Sequence, residues 1–184
     1  MLHIPRLLIV TGAGRKSGKT TIACRIIADN RKSNITAVKI SSHFHEPQEH
    51  LRLICREPEF IIWEELSSTA AKDSSLFLAA GATRSFYIQA GKEASVPGFT
   101  RLLDMVPYST PIVCESPSLG RGVIPGVLII ITAENSPGSG KDLSFLEGRK
   151  ALRITRYDVE RQVFLPITLN ETGFSITPGH TAPG

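Results

Sequence analysis

With 184 residues, 41% of them apolar, the chain is long enough for one domain with a substantial core. No apolar run approaches the ~20 residues that span a bilayer, and the opening segment lacks the tripartite pattern of a secretory signal, so no membrane association is expected. Three widely spaced cysteines, Cys24, Cys55 and Cys114, suit free thiols in a reducing, cytoplasmic compartment, and a net charge of +4 without a basic-aromatic or helix-turn-helix motif argues against nucleic acid as a partner.

The first apolar run, "RLLIVT" (residues 6–11), predicts a buried strand, and "TTIACRIIAD" (20–29) predicts a helix with Ile22, Ala23, Ile26 and Ile27 on one face. Between them lies "AGRKSGKT" (13–20). The phosphate-loop pattern asks for Gly, four free residues, then Gly-Lys-Ser/Thr. Gly18, Lys19 and Thr20 satisfy it, whereas Ala13 stands at the opening glycine with Gly12 and Gly14 on either side. In that context the loop predicts a nucleotide site. Backbone N–H groups at the helix start face phosphate, Lys19 reaches the β- and γ-phosphates, and the Thr20 hydroxyl coordinates magnesium. Gly14, Arg15, Lys16, Ser17, Gly18, Lys19, Thr20 and Thr21 form the expected binding set.

Residues 34–40, "NITAVKI", predict a second buried strand that ends beside the loop, with Lys39 either within reach of an anionic ligand or emerging to solvent. Residues 41–58 are polar and without a clear period. Within them, His43 and His45 alternate on an extended segment and can meet one ligand, or else decorate a polar loop. "EFIIWEELS" (59–67) reads as an edge strand. "AKDSSLFLAAGA" (71–82) reads as a helix capped by Asp73 or Ser74, packed through Leu76, Leu78 and Ala79, and stopped by Gly81. A strand at 84–90 and a proline-bracketed helix at 97–107 follow.

"TPIVCES" (110–116) and "GVLIIIT" (126–132) suit strands covered on both faces. Glu115 at the tip of the first is a candidate to hold magnesium or orient an attacking water, the alternative being a surface glutamate that opens a loop. Cys114 points the other way, into the core. The alternation of strands and helices predicts a three-layer α/β fold with a mostly parallel sheet flanked by helices. "NSPGSGKD" (135–142) mimics a phosphate loop but has Asp142 at the hydroxyl position, which makes it a decoy for phosphate; Asn135, Lys141 and Asp142 remain candidates for base recognition. The core spans about residues 6–133; residues 151–177 suit short strands around a turn at 170–173, and 178–184 a frayed tail.

"GRKSGKTT", a strand ending in Lys39 with histidines after it, "KDSSLFLAAGA" and "CES" together resemble MobB, the nucleotide-binding accessory protein of molybdopterin guanine dinucleotide biosynthesis. The resemblance covers roughly residues 7–132, and Lys72-Asp73-Ser74 followed by Ala80-Gly81-Ala82 is its more specific part. The family's histidine-rich segment reads "KISSHFHEP" here, and its Glu-Gly pair reads Glu115-Ser116, as in a divergent member. The resemblance implies a P-loop NTPase fold, GTP or ATP with Mg2+, slow hydrolysis, a homodimer, and a molybdopterin or cofactor-biosynthesis partner. It draws Lys39, His43, His45 and Asp73 into the ligand-binding set, with Lys19 and Glu115 as the catalytic pair and Thr20 and Glu115 as the metal pair. A small-molecule kinase on the same loop is the alternative function, with Arg52 and Arg56 available for a lid.

Overall fold

The first strand, β1 (Leu2–Gly12), sends Leu7 and Ile9 to one side and Leu8 and Val10 to the other, and all four are fully buried. Only a strand covered on both faces buries such a run. In the computed structural model, which describes residues 1–12, 14, 16–44, 48–132 and 143–177, this strand lies inside an eight-stranded sheet. Helix α1 (Lys19–Asp29) follows and buries the expected stripe of Ile22, Ala23, Ile26 and Ile27.

The chain continues through β2 (Thr36–Ser41), β3 (Leu51–Arg56), β4 (Phe60–Glu65), α2 (Asp73–Ala79), β5 (Arg84–Ala90) and α3 (Ser95–Leu103). It then forms β6 (Ile112–Glu115), β7 (Val123–Thr132), β8 (Leu152–Thr155), α4 (Arg156–Glu160) and the hairpin β9 (Ile167–Asn170) and β10 (Gly173–Ile176). Strand order is β3-β4-β5-β2-β6-β1-β7-β8. The run from β5 to β8 is parallel, and β4 and β3 add an antiparallel edge. Helix α3 packs on the face that holds Leu7, Ile9 and Phe99, while α1, α2 and α4 cover the face that holds Leu8, Val10 and Phe77. The fold is therefore α/β, a mostly parallel sheet with helices on both faces. The chain builds outward from β1 first toward β2 and later toward β7, and α/β sheets form their ligand crevice at the strand ends where the order reverses.

Several expectations are corrected. Residues 41–58 are not wholly irregular, because β3 lies within them. Its side chains are half exposed, so no apolar period marks it; it is held by the ladder to β4, by the Arg52–Glu64 ion pair and by Arg56 over the Trp63 ring. Strand β4 is consequently internal rather than an edge, and Arg52 and Arg56 belong to the sheet margin rather than to a lid. Helix α2 has Lys72 at its N-cap without a side-chain cap; Asp73 is its first residue and Ser74 is buried. Phe77 packs that helix, whereas Leu76 and Ala79 are exposed. Helix α3 starts two residues before Pro97.

The hairpin turns at residues 170–173 as expected, and β8 joins the sheet beside β7. Residues 133–142, which hold the decoy loop with Asn135, Lys141 and Asp142, and residues 178–184 lie outside the described part. Among the described residues no helix is long and apolar enough to cross a membrane.

Candidate functional site

Strand register decides which side chains meet. Lys39 of β2 and Glu115 of β6 are direct partners, and Glu115 is also level with Val10 of β1, so all three project from the face that carries α1. At this strand end the chain leaves β1, passes Gly14 and Gly18, and turns into α1. Gly14 has φ +92° and Gly18 φ +91°, conformations a side chain strains. A Cβ on Gly18 would also stand 2.7 Å from Val159 of α4, so the loop is backed by that short helix. The α4 helix itself starts on a capping box between Thr155 and Asp158.

Four residues converge on one point. Thr20 Oγ1 lies 2.8 Å from Glu115 Oε2 and 3.1 Å from Asp73 Oδ1, one hydroxyl hydrogen serving two carboxylates. Lys39 Nζ lies 2.5 Å from Glu115 Oε1 and 2.6 Å from Asp73 Oδ2. Glu115 is buried and Asp73 partly open. Burial pulls the Lys39 ammonium down, but Glu115 and Asp73 outweigh it and hold Lys39 above its ordinary range. It therefore stays charged between the two acids. Lys19 Nζ curls back over the loop and donates to Gly14 O at 2.6 Å and to Ser17 Oγ at 2.8 Å.

These groups line a cavity of about 500 Å³ that also includes Lys16, Ser17, Gly18, Thr21 and His43. Of the residues expected in a ligand site, Gly14, Lys16, Ser17, Gly18, Lys19, Thr20, Thr21, Lys39, His43, Asp73 and Glu115 are brought together there. Arg15 and His45 lie outside the described residues. The alternatives left open for Glu115 and Lys39, an acid opening a surface loop and a lysine reaching solvent, do not hold: both are ion-paired inside the cavity.

Sequence reading missed the sheet-borne members of a neighbouring set, Leu51, Glu65 and Tyr87. His50, Glu65, Ser74 and Tyr87, with Gln48, Leu51 and Lys72, line a second cavity of about 380 Å³ that shares Lys39, Ser41 and Asp73 with the first. Glu65 carried the same signal as Glu115, an acid at the end of an apolar run. The signal was unreadable without β3, since the pairing Leu51↔Glu65 is what sets Glu65 inside the sheet rather than at its edge.

The donors around Thr20 are all oxygen, which suits a hard divalent cation such as Mg2+. Among the described residues no group of three or more His, Cys, Asp or Glu side chains is arranged to hold a metal by itself, so phosphate oxygens and water would have to complete its shell. No protein-family model matches the chain, and no curated protein or solved structure matches it either.

Proposed function

We propose that the chain is a P-loop protein that binds GTP or ATP with Mg2+ and hydrolyses it slowly. The observation that carries this reading is the meeting of Thr20, Lys39, Asp73 and Glu115 at the mouth of a glycine-rich loop that also presents Lys19. Magnesium, when bound with Thr20 and Glu115 as its protein partners, would screen the charge of the β- and γ-phosphates. The chain's own groups do the rest. Lys19 turns from Gly14 O and Ser17 Oγ to phosphate oxygens as a point charge. Glu115 accepts a hydrogen bond from the attacking water, and Lys39 bridges the two carboxylates and offsets their mutual repulsion.

The resemblance to MobB supports an accessory role in molybdopterin guanine dinucleotide biosynthesis, with the chain acting as a dimer on a pterin or a protein client. His43 at the cavity wall is then a contact for that client. Calorimetric titration with GTP and ATP, with and without Mg2+, tests the reading. Lys19→Ala should weaken binding about tenfold or more, because a hydrogen bond to an ion contributes roughly 1.5–3 kcal/mol. Equal affinity in the wild type and Lys19→Ala would overturn it.

A further inference from the structure

Three side chains outside the phosphate cavity, Leu51, Glu65 and Tyr87, rise from one face of the sheet by register alone. Tyr87 is level with Lys39, and Glu65 and Leu51 are level with Ser85, two residues along β5 from Tyr87. They floor the second cavity, whose volume of about 380 Å³ is far above the ~30 Å³ share of one water and falls in the range of small-molecule sites. Lys39, Ser41 and Asp73 form the wall common to both cavities, so a ligand in the second lies beside whatever fills the first.

Its polar groups are ordered. The Glu65 side chain is fully buried, and its carboxylate accepts from Ser67 N–H at 2.9 Å and Ser74 O–H at 2.8 Å. Its Oε2 lies 3.6 Å from His50 Nε2, a buried atom with no hydrogen-bond partner among the described residues. That gap is too long for a hydrogen bond, yet it aligns the imidazole on a fixed acid, and such contacts tighten when a site is filled. The exposed part of the His50 ring therefore lies away from Nε2. At the rim Lys72 is exposed and makes no ion pair among the described residues.

We propose that this second cavity, lined by His50, Glu65, Lys72 and Tyr87, binds a small hydroxylated acid as phosphoryl acceptor. His50 is its base and Lys72 its anion contact. The proposal rests on the nucleotide reading of the first cavity. The acceptor hydroxyl oxygen forms a bond to the γ-phosphorus, and the bond from that phosphorus to the β,γ-bridging oxygen breaks. The nucleoside diphosphate leaves with the electron pair. The hydroxyl proton passes to His50, where Glu65 stabilises the imidazolium. Slow hydrolysis is then what the site does when water replaces the acceptor.

The test uses the full chain with Mg2+, γ-labelled GTP or ATP, and D-glycerate, D-gluconate and L-threonine as probes, following label into acid-stable product. At least one probe should take label tenfold faster than phosphate is released without it. Replacing glycerate by glycerol should lose most of that rate, as should Lys72→Ala through a higher KM at similar kcat. His50→Gln should cut transfer about a hundredfold or more, as loss of a general base does. Lys72→Ala is at the surface and stays informative if His50→Gln fails to fold. Nucleotide bound with no probe labelled, or wild-type transfer in His50→Gln, overturns the proposal and leaves the nucleotide reading standing. Failure to bind nucleotide at all overturns both.

Discussion

Lys39 and Glu115 were legible as chemistry because each ends an apolar run, where a charge has to be explained; Asp73 was legible only through its motif. None of the three revealed by itself that they share a partner in Thr20, because that contact joins residues 53 and 95 positions apart in the chain. Glu115→Gln keeps the shape and removes the charge that, in the proposed function, orients water. Turnover should fall by roughly 10²-fold, the size of a lost acid-base contribution, while nucleotide affinity moves by less than tenfold. Equal turnover in the two proteins would return Glu115 to a structural role. The thiols obey the same local field. Burial first, then Glu115 and Asp73, push Cys24 up to about 11, and burial chiefly pushes Cys114 still further. At pH 8 iodoacetamide should label Cys24 roughly a hundredfold more slowly than an ordinary thiol, and Cys114 only on unfolding, as read by mass spectrometry. Because the fold favours the neutral Cys24 thiol, its contribution to stability is complete below pH 9.0 and is lost as pH climbs toward about 11.

Elements that bury both faces or one clear stripe announced themselves, as β1, α1, β2 and β6 did. Strand β3 did not, because its stability comes from cross-strand partners such as Arg52–Glu64 rather than from an apolar face. Without β3, the sequence places β4 at an edge and leaves the second cavity without part of its floor. The short α4 helix was hidden by its length, although its Thr155-x-x-Asp158 cap was present in the sequence. Its role is to back the glycine loop through Val159. Gly18→Ala should therefore destabilise by about 2–4 kcal/mol, combining a left-handed alanine at ~1–2 kcal/mol with crowding of a packed site. Adding Val159→Ala should recover the crowding but not the backbone strain, so the pair should be less than additive in urea unfolding. Strict additivity would mean that α4 and the loop are not in contact in solution.

At the scale of the whole molecule, the cavity at the glycine loop lies where four elements meet above one apolar cluster that they share. It takes Lys39 from β2, Glu115 from β6, Asp73 from α2 and the loop that starts α1, while the apolar clusters lie deeper on either face of the sheet. A nucleotide with Mg2+ would tie those four elements through one polyanion, and a ligand that binds only the folded chain stabilises it by mass action. At a nucleotide concentration near 100 times Kd the gain is ~2.7 kcal/mol. For a chain of this length ~1 kcal/mol corresponds to ~2–4 °C, so Tm should rise by roughly 5–11 °C. The metal dependence is the sharper part. Without Mg2+ the triphosphate meets Asp73 and Glu115 with only the cavity's lysines to offset the repulsion, and most of the rise should vanish on adding EDTA. Differential scanning calorimetry with nucleotide alone, Mg2+ alone and both together separates the contributions. A rise of equal size with and without Mg2+ would mean that the carboxylates do not face the phosphates, and no rise under any condition would remove nucleotide from the cavity.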